Sequence, residues 1–240
     1  MTFLSIIIPA YNEAERLPAT LKNVQNFLAK QSYKAEVVVV NDGSKDATAA
    51  VVRKIAKTFP ELHLIDNVAN KGKGGVVNQG MLAAKGEFRL FMDSDGSTPI
   101  EEVGKLLAVR EGNDVVIGSR HLDPDSIKIK PSLKRRIISR LSNMLIQSFA
   151  LPGIRDTQCG FKLFSAEATE KVFPRQTDWG WLFDVELLVI AREQGLKIKE
   201  VAVDWSDADH STLRASRAVR QSLRELLQIN QGIRSGKYRA

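Results

Sequence analysis

The sequence of 240 residues predicts an α/β fold in which helices flank a mostly parallel central sheet. Across residues 3–118, short β-branched runs alternate with segments of helical periodicity, an alternation typical of parallel sheets. The second strand candidate contains four consecutive valines, Val37–Val40, as expected for a strand buried on both faces. Polar residues then follow the candidate strands where they end, which is where ligands bind in such sheets.

The elements of the first half follow from these patterns in chain order. Strands are expected at Phe3–Pro9, Glu36–Val40, Leu62–Asp66, Phe88–Met92 and Asp114–Gly118. Helices are expected at Glu13–Lys30, Asp46–Phe59, Lys71–Ala84 and Glu101–Val109. Because parallel strands end at the same edge of a sheet, this order brings four polar residues towards one site, namely Asn12, Asp42, Asp93 and Arg120.

The second half has a different pattern. We expect a polar connection at 123–136, an amphipathic helix at Ser132–Ala150, a loop at Pro152–Gly160, a strand at Phe161–Phe164, a helix at Leu182–Gln194, a strand at Ile198–Asp204 and a final basic helix. The chain is interpreted as one domain, 1–240. It would comprise a first half (1–122), a second half (123–210) and a basic C-terminal helix (211–240).

Composition restricts the surroundings and the partners of the chain. Cys159 is the one cysteine, so no internal disulfide can form, which fits a reducing cytoplasm. No secretory signal is visible, and the longest stretch without a charge, Leu141–Ile154, is shorter than the roughly 20 apolar residues of a spanning helix. The net charge of +7 favours anionic partners: nucleic acid, phosphorylated substrates or acidic lipid.

The segment Phe91–Gly96 carries the strongest chemical signal. Asp93 and Asp95 follow a buried strand one residue apart, so in extended chain their side chains point the same way. A divalent cation such as Mg²⁺ or Mn²⁺ would remove the repulsion between the carboxylates and bridge them to a phosphate. A polar Asp-Gly turn is the alternative.

Two further segments contain residues suited to a nucleotide. Asp42 ends the second strand, where an acidic residue can accept hydrogen bonds from a ribose or a base, or simply start a turn. Lysines and glycines at a helix start, in Asn70–Gly75, suit an anion, although the spacing is not that of a P-loop. Arg120 ends a strand at the same edge, where it suits a phosphate or a surface ion pair.

Together these motifs resemble family 2 glycosyltransferases, and in particular the polyprenyl-phosphate sugar synthases that include dolichyl-phosphate glucosyl- and mannosyltransferases. The resemblance covers residues 3 to about 213 and rests on the segments SIIIPAYNEAERL, VVVVNDGSKDAT, NKGKGG, FMDSDG, GSR, DTQCGFKLF, WLFDVELLVIARE and VAVDWSD. It implies the glycosyltransferase A-type fold, which binds nucleotide sugars.

The resemblance also implies residue roles. Pro9, Tyr11, Glu13 and Asp42 would border the nucleoside, with Lys71 on the donor phosphates. Asp93 and Asp95 would hold Mg²⁺ or Mn²⁺ and the donor diphosphate, with Asp95 catalytic. Arg214, in a late loop that reads HisSerThrLeuArg, would replace a lysine that closes over the diphosphate in relatives.

The acceptor decides whether a general base is needed. A sugar hydroxyl must lose a proton during attack, whereas a phosphate monoester is already largely dianionic at pH 7. For a polyprenyl phosphate, Arg120 and Lys162 are the candidate acceptor ligands. Asp156 is either a catalytic base or an anchor of its loop. UDP-glucose is the expected donor, because the later motifs look more like those of the glucosyl branch.

Membrane contact is a further expectation. Basic residues flank the apolar stripe of Ser132–Ala150, which suits an anionic membrane surface, although a core helix or an oligomer contact would show the same pattern. The expected location is therefore cytoplasmic and peripheral at the membrane.

Three other functions would share part of the pattern. A glycosyltransferase with a soluble or glycan hydroxyl acceptor would use Asp156 as base. A nucleotidyltransferase would usually have a glycine-rich loop after the first strand, and the segment ProAlaTyrAsnGlu at that position argues against this class. A nucleic-acid-binding module would explain the positive charge but not the aspartate pair, so nucleic acid is not an expected partner.

Overall fold

The computed structural model describes residues 1–123, 125, 127–129, 143–206 and 215–239. Its main sheet has seven strands in the order β3-β2-β1-β4-β7-β5-β8. The strands are β1 (Leu4–Ala10), β2 (Ala35–Asp42), β3 (Leu62–Asn67), β4 (Phe88–Met92), β5 (Val115–Ser119), β7 (Phe161–Ser165) and β8 (Ile198–Ala202). All pairs are parallel except those of β7, which runs antiparallel to β4 and β5. The predicted mostly parallel sheet is confirmed.

Helices cover both faces of this sheet. They are α1 (Leu17–Leu28), α2 (Thr48–Ala56), α3 (Lys73–Ala83), α4 (Val103–Ala108), α5 (143–149), α6 (Ala166–Val172), α7 (Phe183–Glu193) and α8 (Ala215–Arg234). Side chains alternate along β1, so that Ile6 and Ile8 pack in one core layer with α1 and α4, whereas Ile7 packs in the other with α3 and α7.

The two halves defined from the sequence share this one sheet. Strand β7 comes from the second half and lies between β4 and β5 of the first half. Its side chains pair along both neighbours, with Leu90 opposite Leu163 and Val116 opposite the same residue. The boundary between residues 122 and 123 therefore marks a change in the sequence pattern, and the two halves do not form separate sheets.

Some elements differ from the sequence prediction. Helix α1 begins at Leu17 rather than Glu13, because Asn12 has a positive φ of 56° and residues 14–16 form a turn. Helix α6 was not predicted; Ser165 caps it by accepting a hydrogen bond from the Ala168 amide (3.0 Å). The small parallel sheet of β6 (Ile127–Ile129) and β9 (Trp205–Ser206) was also not predicted. Most of the expected helix Ser132–Ala150 lies outside the described residues.

Candidate active site

A cleft of about 590 Å³ opens at the carboxyl ends of β1, β2 and β4. Its walls come from the strand-end loops, the start of α3, the segment before α7 and one residue of α8. The lining residues that carry chemistry are Pro9, Tyr11, Glu13, Asp42, Asn70, Gly72, Lys73, Asp93, Asp95, Gln158, Trp179, Trp181, Asp184 and Gln221. A cavity of this size accommodates a drug-sized or nucleotide-sized ligand.

The four residues expected at the nucleoside line this cleft together. Pro9 is the last residue but one of β1, Tyr11 is exposed at the rim, and Glu13 is buried and paired with Arg16 at 2.6 Å. Reciprocal hydrogen bonds tie the loops after β1 and β2 together: the Asn12 amide donates to Oγ of Ser44 (2.9 Å), and the Asn12 side chain accepts from the Lys45 amide (2.8 Å). These contacts fix the edge of the cleft before any ligand binds.

Asp42 connects β2 to the start of α3. Its Oδ1 accepts a hydrogen bond from the backbone N–H of Lys71 (2.6 Å). Burial raises the pKa of Asp42 above its ordinary value, against the opposing effect of the amides of Lys71 and Gly72. The Lys71 side chain is directed to Gln79 (3.2 Å) and is not part of the cleft lining. The structure therefore does not support the expected role of Lys71 at the donor phosphates.

Lys73, which the sequence analysis did not single out, supplies the ammonium in the cleft. Its Nζ lies 2.5 Å from Oδ1 of Asp93. Burial lowers the pKa of Lys73, but the charges of Asp93 and Asp184 outweigh it and raise the pKa above its ordinary value. The signal was present in the motif Asn70–Gly75, which contains two lysines. Gly72 has a φ of 81°, so α3 begins at Lys73 and directs this second lysine into the cleft.

Asp93 and Asp95 both line the cleft, as their positions after β4 imply. The Ser97 amide donates to Oδ1 of Asp95 (2.9 Å), and Gly160 packs so closely on Asp93 that an added Cβ would lie 2.2 Å from its Oδ2. Among the described residues, no group of three or more acidic, His or Cys side chains converges on a metal site. Two carboxylates nevertheless fit Mg²⁺ or Mn²⁺, because Mg²⁺ sites often use one or two carboxylates with substrate phosphates and water.

The structure pairs Arg120 with Asp156. Nε and Nη2 of Arg120 donate to the two carboxylate oxygens at 2.8 and 2.9 Å, and the Arg120 amide donates to the same carboxylate. Burial raises the pKa of Asp156, but the charge and hydrogen bonds of Arg120 outweigh it and hold the pKa well below the ordinary value. Asp156 is 2% exposed, and neither residue lines the cleft.

This pair changes two expectations. An ionised carboxylate held by a guanidinium is a weak base, so the geometry favours the anchoring interpretation of Asp156 over the catalytic one. Arg120 also lies over the Trp205 ring at 5.3 Å. With its guanidinium held between Asp156 and Trp205, Arg120 is placed to fix the loop after β5, rather than as the acceptor ligand expected from the sequence.

Lys162 is placed differently from its expected role at an acceptor phosphate. It lies on β7, its side chain is fully buried, and its Nζ donates to the Cys159 carbonyl and to Oδ1 of Asp184, both at 2.6 Å. A fully buried ammonium that is already paired cannot contact a phosphate in the cleft. The structure therefore does not support the expected role of Lys162 at the acceptor, and its charge instead pairs with Asp184, which lines the cleft.

A loop at 176–182 forms another wall and carries Trp179 and Trp181. Glu186 of α7 accepts hydrogen bonds from the amides of Thr177 (2.8 Å) and Asp178 (2.6 Å). In the sequence these tryptophans stand in an apolar stretch, which is typical of core or cleft residues. Arg214, the remaining expected donor ligand, lies outside the described residues. In the described part of the chain, no helix is both long enough and apolar enough to span a bilayer.

Comparison with known proteins identifies the class. Residues 5–173 match the family model for glycosyl transferase family 2. The chain belongs to this family.

Curated relatives narrow the similarity further. The chain is 38% identical to a dolichyl-phosphate beta-glucosyltransferase of Trichomonas vaginalis over 238 residues, which cover 95% of this chain and 72% of the relative. Enzymes of the same name from Saccharomyces cerevisiae and Homo sapiens are 35% and 37% identical. These matches cover 99% and 88% of this chain, and 77% and 69% of the two relatives. The predicted family resemblance is confirmed.

Solved structures support the fold. Glucosyl-3-phosphoglycerate synthase from Mycobacterium tuberculosis, in a complex with Mn²⁺, UDP and phosphoglyceric acid, superposes with a TM-score of 0.70 at 19% identity. The match covers 95% of this chain and 78% of that one. The chain thus has the glycosyltransferase A-type fold predicted from its sequence.

Proposed function

We propose that the chain transfers glucose, with inversion, from UDP-glucose to a dolichyl or other polyprenyl phosphate. The observation that carries the proposal is the set of charges on the cleft floor, where Asp93, Asp95 and the Lys73 ammonium meet below the strand-end loops. The names of the relatives, at 35–38% identity over most of the chain, support dolichyl phosphate as acceptor and glucose as the sugar.

In this proposal the strand-end loops bind the nucleoside. Pro9, Tyr11 and Glu13 border the base, and Asp42 accepts hydrogen bonds from the ribose or the base. Asp93 and Asp95 hold Mg²⁺ or Mn²⁺, which when bound would neutralise the diphosphate leaving group. Lys73 adds a second positive charge on the same side, and Arg214 is proposed to contact the diphosphate from the late loop.

The acceptor phosphate needs no general base from the protein, because it is largely dianionic at neutral pH. The proposed reaction therefore fits a structure in which the candidate base, Asp156, accepts two side-chain hydrogen bonds from Arg120. A glycosyltransferase with a hydroxyl acceptor would need a carboxylate that is free to take a proton, and Asp156 is poorly suited to that task.

We also propose peripheral contact with an anionic membrane surface on the cytoplasmic side. A water-insoluble acceptor has to be reached at a bilayer. The outward side of α8 combines exposed Leu223 and Leu227 with exposed Arg224, a combination suited to the interface of an acidic bilayer. Flotation with vesicles containing anionic lipid, compared with neutral vesicles, tests this part separately.

The enzymatic proposal is tested with radiolabelled donors. Purified protein is incubated with Mg²⁺ or Mn²⁺, UDP- or GDP-linked sugars and a short polyprenyl phosphate, and the lipid is then extracted. The expected result is metal-dependent labelling of the lipid from UDP-glucose, reduced at least 100-fold in Asp95→Asn. Label on a soluble hydroxyl acceptor instead of the lipid would refute the proposed acceptor.

A further inference from the structure

Trp179 and Trp181 place a large apolar surface at the mouth of the cleft. Their side chains are 44% and 47% exposed, and both residues line the cleft. Exposed indole rings on a cavity wall are unusual in a protein that has no use for them, because burying such rings is strongly favourable. Neither indole ring takes part in the ion pair between Lys73 and Asp93 on the cleft floor.

The backbone that carries the two rings is fixed from two helices. Glu225 of α8 is buried, and its Oε2 accepts hydrogen bonds from the amides of Trp181 (3.1 Å) and Leu182 (3.0 Å). Glu186 of α7 holds the amides of Thr177 and Asp178 in the same way. Four anchored amides within the six residues 177–182 hold the backbone that carries the rings in place without a ligand, so binding would not incur the cost of ordering a loop.

The same loop touches the start of α3, next to the charged floor. The Gly74 amide donates to the Trp179 carbonyl (3.3 Å), and a Cβ on Gly72 would lie 2.5 Å from that carbonyl oxygen. Lys73, whose ammonium contacts Asp93, lies between these two glycines. The wall that carries Trp179 and Trp181 therefore begins next to Lys73, whose ammonium can attract a phosphate.

We propose that Trp179 and Trp181 form the subsite for the first isoprene units of the acceptor, next to its phosphate. This inference rests on the proposed function, which brings a lipid phosphate to the cleft. A polyprenyl phosphate joins a dianionic head to a hydrocarbon chain. In the same order, the cleft places the Lys73 ammonium and the proposed metal pair, Asp93 and Asp95, next to an apolar wall. The strand-end loops, with exposed Tyr11, remain available for the nucleobase.

The test compares Trp179→Ala/Trp181→Ala with wild type on two acceptors, farnesyl phosphate and a five-carbon prenyl phosphate. The KM for farnesyl phosphate should rise about tenfold, a change of about 1.4 kcal/mol. The KM for UDP-glucose and the rate with the short acceptor should stay within about twofold. Replacement of both residues by Phe should restore most of the affinity, and Leu82→Ala is the matched control. Leu82 is equally exposed, at 44%, but lies at the far end of α3.

Equal losses on the long and the short acceptor, or a raised KM for UDP-glucose alone, would overturn the inference. Equilibrium dialysis with labelled farnesyl phosphate measures binding independently of transfer. If wild-type protein labels no lipid at all, the proposed function fails. If wild type transfers glucose and the double variant binds farnesyl phosphate as tightly as wild type does, only the subsite is refuted.

Discussion

The ammonium of Lys73 lies 2.5 Å from Oδ1 of Asp93, on the floor of the cleft. One carboxylate of the proposed metal pair is thus already neutralised by a side chain of the protein. A divalent cation at Asp93 and Asp95 would compete with this ion pair, and a bound diphosphate would offer the ammonium a new partner. Binding of the donor would therefore change the net charge at Asp93 and Asp95 by drawing the Lys73 ammonium to the diphosphate.

The first prediction concerns Lys73→Ala. We expect kcat/KM for the nucleotide sugar to fall about 100-fold, because a cation aimed at the leaving group contributes a large share of transition-state stabilisation. Steady-state kinetics with varied donor and saturating Mg²⁺ measure this. Lys71→Ala is the matched control: its ammonium contacts Gln79 outside the cleft, and its loss should cost less than about tenfold. Equal effects of the two substitutions would contradict the assignment of Lys73.

The second prediction distinguishes the two interpretations of Asp156. Asp156→Asn leaves the buried side of the Arg120 guanidinium without its anion, so the free energy of unfolding should fall by about 3 kcal/mol. Activity per folded molecule should stay within about tenfold of wild type. Urea unfolding and transfer assays measure the two quantities. Glu111→Gln, at a side chain that is 91% exposed, is the control and should change stability by less than about 0.5 kcal/mol.

The opposite pattern for Asp156→Asn would restore it as a base. That pattern is full stability together with a loss of transfer of more than about 100-fold, accompanied by the disappearance of an acidic limb in the pH–rate profile.

The mostly parallel sheet and the edge at which the site lies could be predicted because they depend on local patterns. The valine run of β2 and the polar residues after β1, β2 and β4 follow from alternation and chain direction alone. The side chains of Pro9, Glu13, Asp42, Asp93 and Asp95 meet in one cleft because parallel strands end at one edge.

The partners of the charged side chains could not be predicted, because they depend on tertiary packing. Lys162 lies between Phe161 and Leu163 in an expected strand, a pattern that fits an exposed or a buried position equally. Lys162 is buried because β7 lies between two other strands, and Asp184 of α7 is the partner of its ammonium there. Whether Lys71 or Lys73 enters the cleft depends on where α3 begins, and α3 begins at Lys73, directly after Gly72 with its φ of 81°.

The third prediction concerns Asp178, in the loop that carries the tryptophans. Burial raises its pKa to about 6, and the nearby charges of Glu225 and Glu186 add to this shift although the Gly180 amide opposes it. Because the folded state holds the proton more tightly than the unfolded state, this residue's stabilising contribution is present at low pH. It is lost as the pH rises from about 4 to about 6.

Asp178→Asn removes this titration while keeping an oxygen that can accept from the Gly180 amide (2.7 Å). The variant should therefore gain Tm relative to wild type at pH 7.5, by about 2–4 °C for each kcal/mol, and show no gain at pH 4.5. Thermal unfolding at both pH values measures this difference. A gain of the same size at both pH values would show that the carboxylate does not titrate as stated.

The last prediction concerns Cys159, which lies in the loop that Asp156 anchors. The thiol is buried, and burial together with the charge of Asp156 raises its pKa to about 12, against the opposing charges of Arg120 and Lys162. At pH 8 the thiol is then almost entirely protonated, and the thiolate is the reactive form. We expect the native protein to react with a thiol-specific disulfide reagent at least about 100-fold more slowly than the urea-unfolded chain. Asp156→Asn, which loosens the loop, should react faster than wild type, whereas Glu111→Gln should not. Rapid reaction of the native wild-type thiol would mean that the loop opens readily, and the same result would weaken the assignment of Asp156 and Arg120 as its anchor.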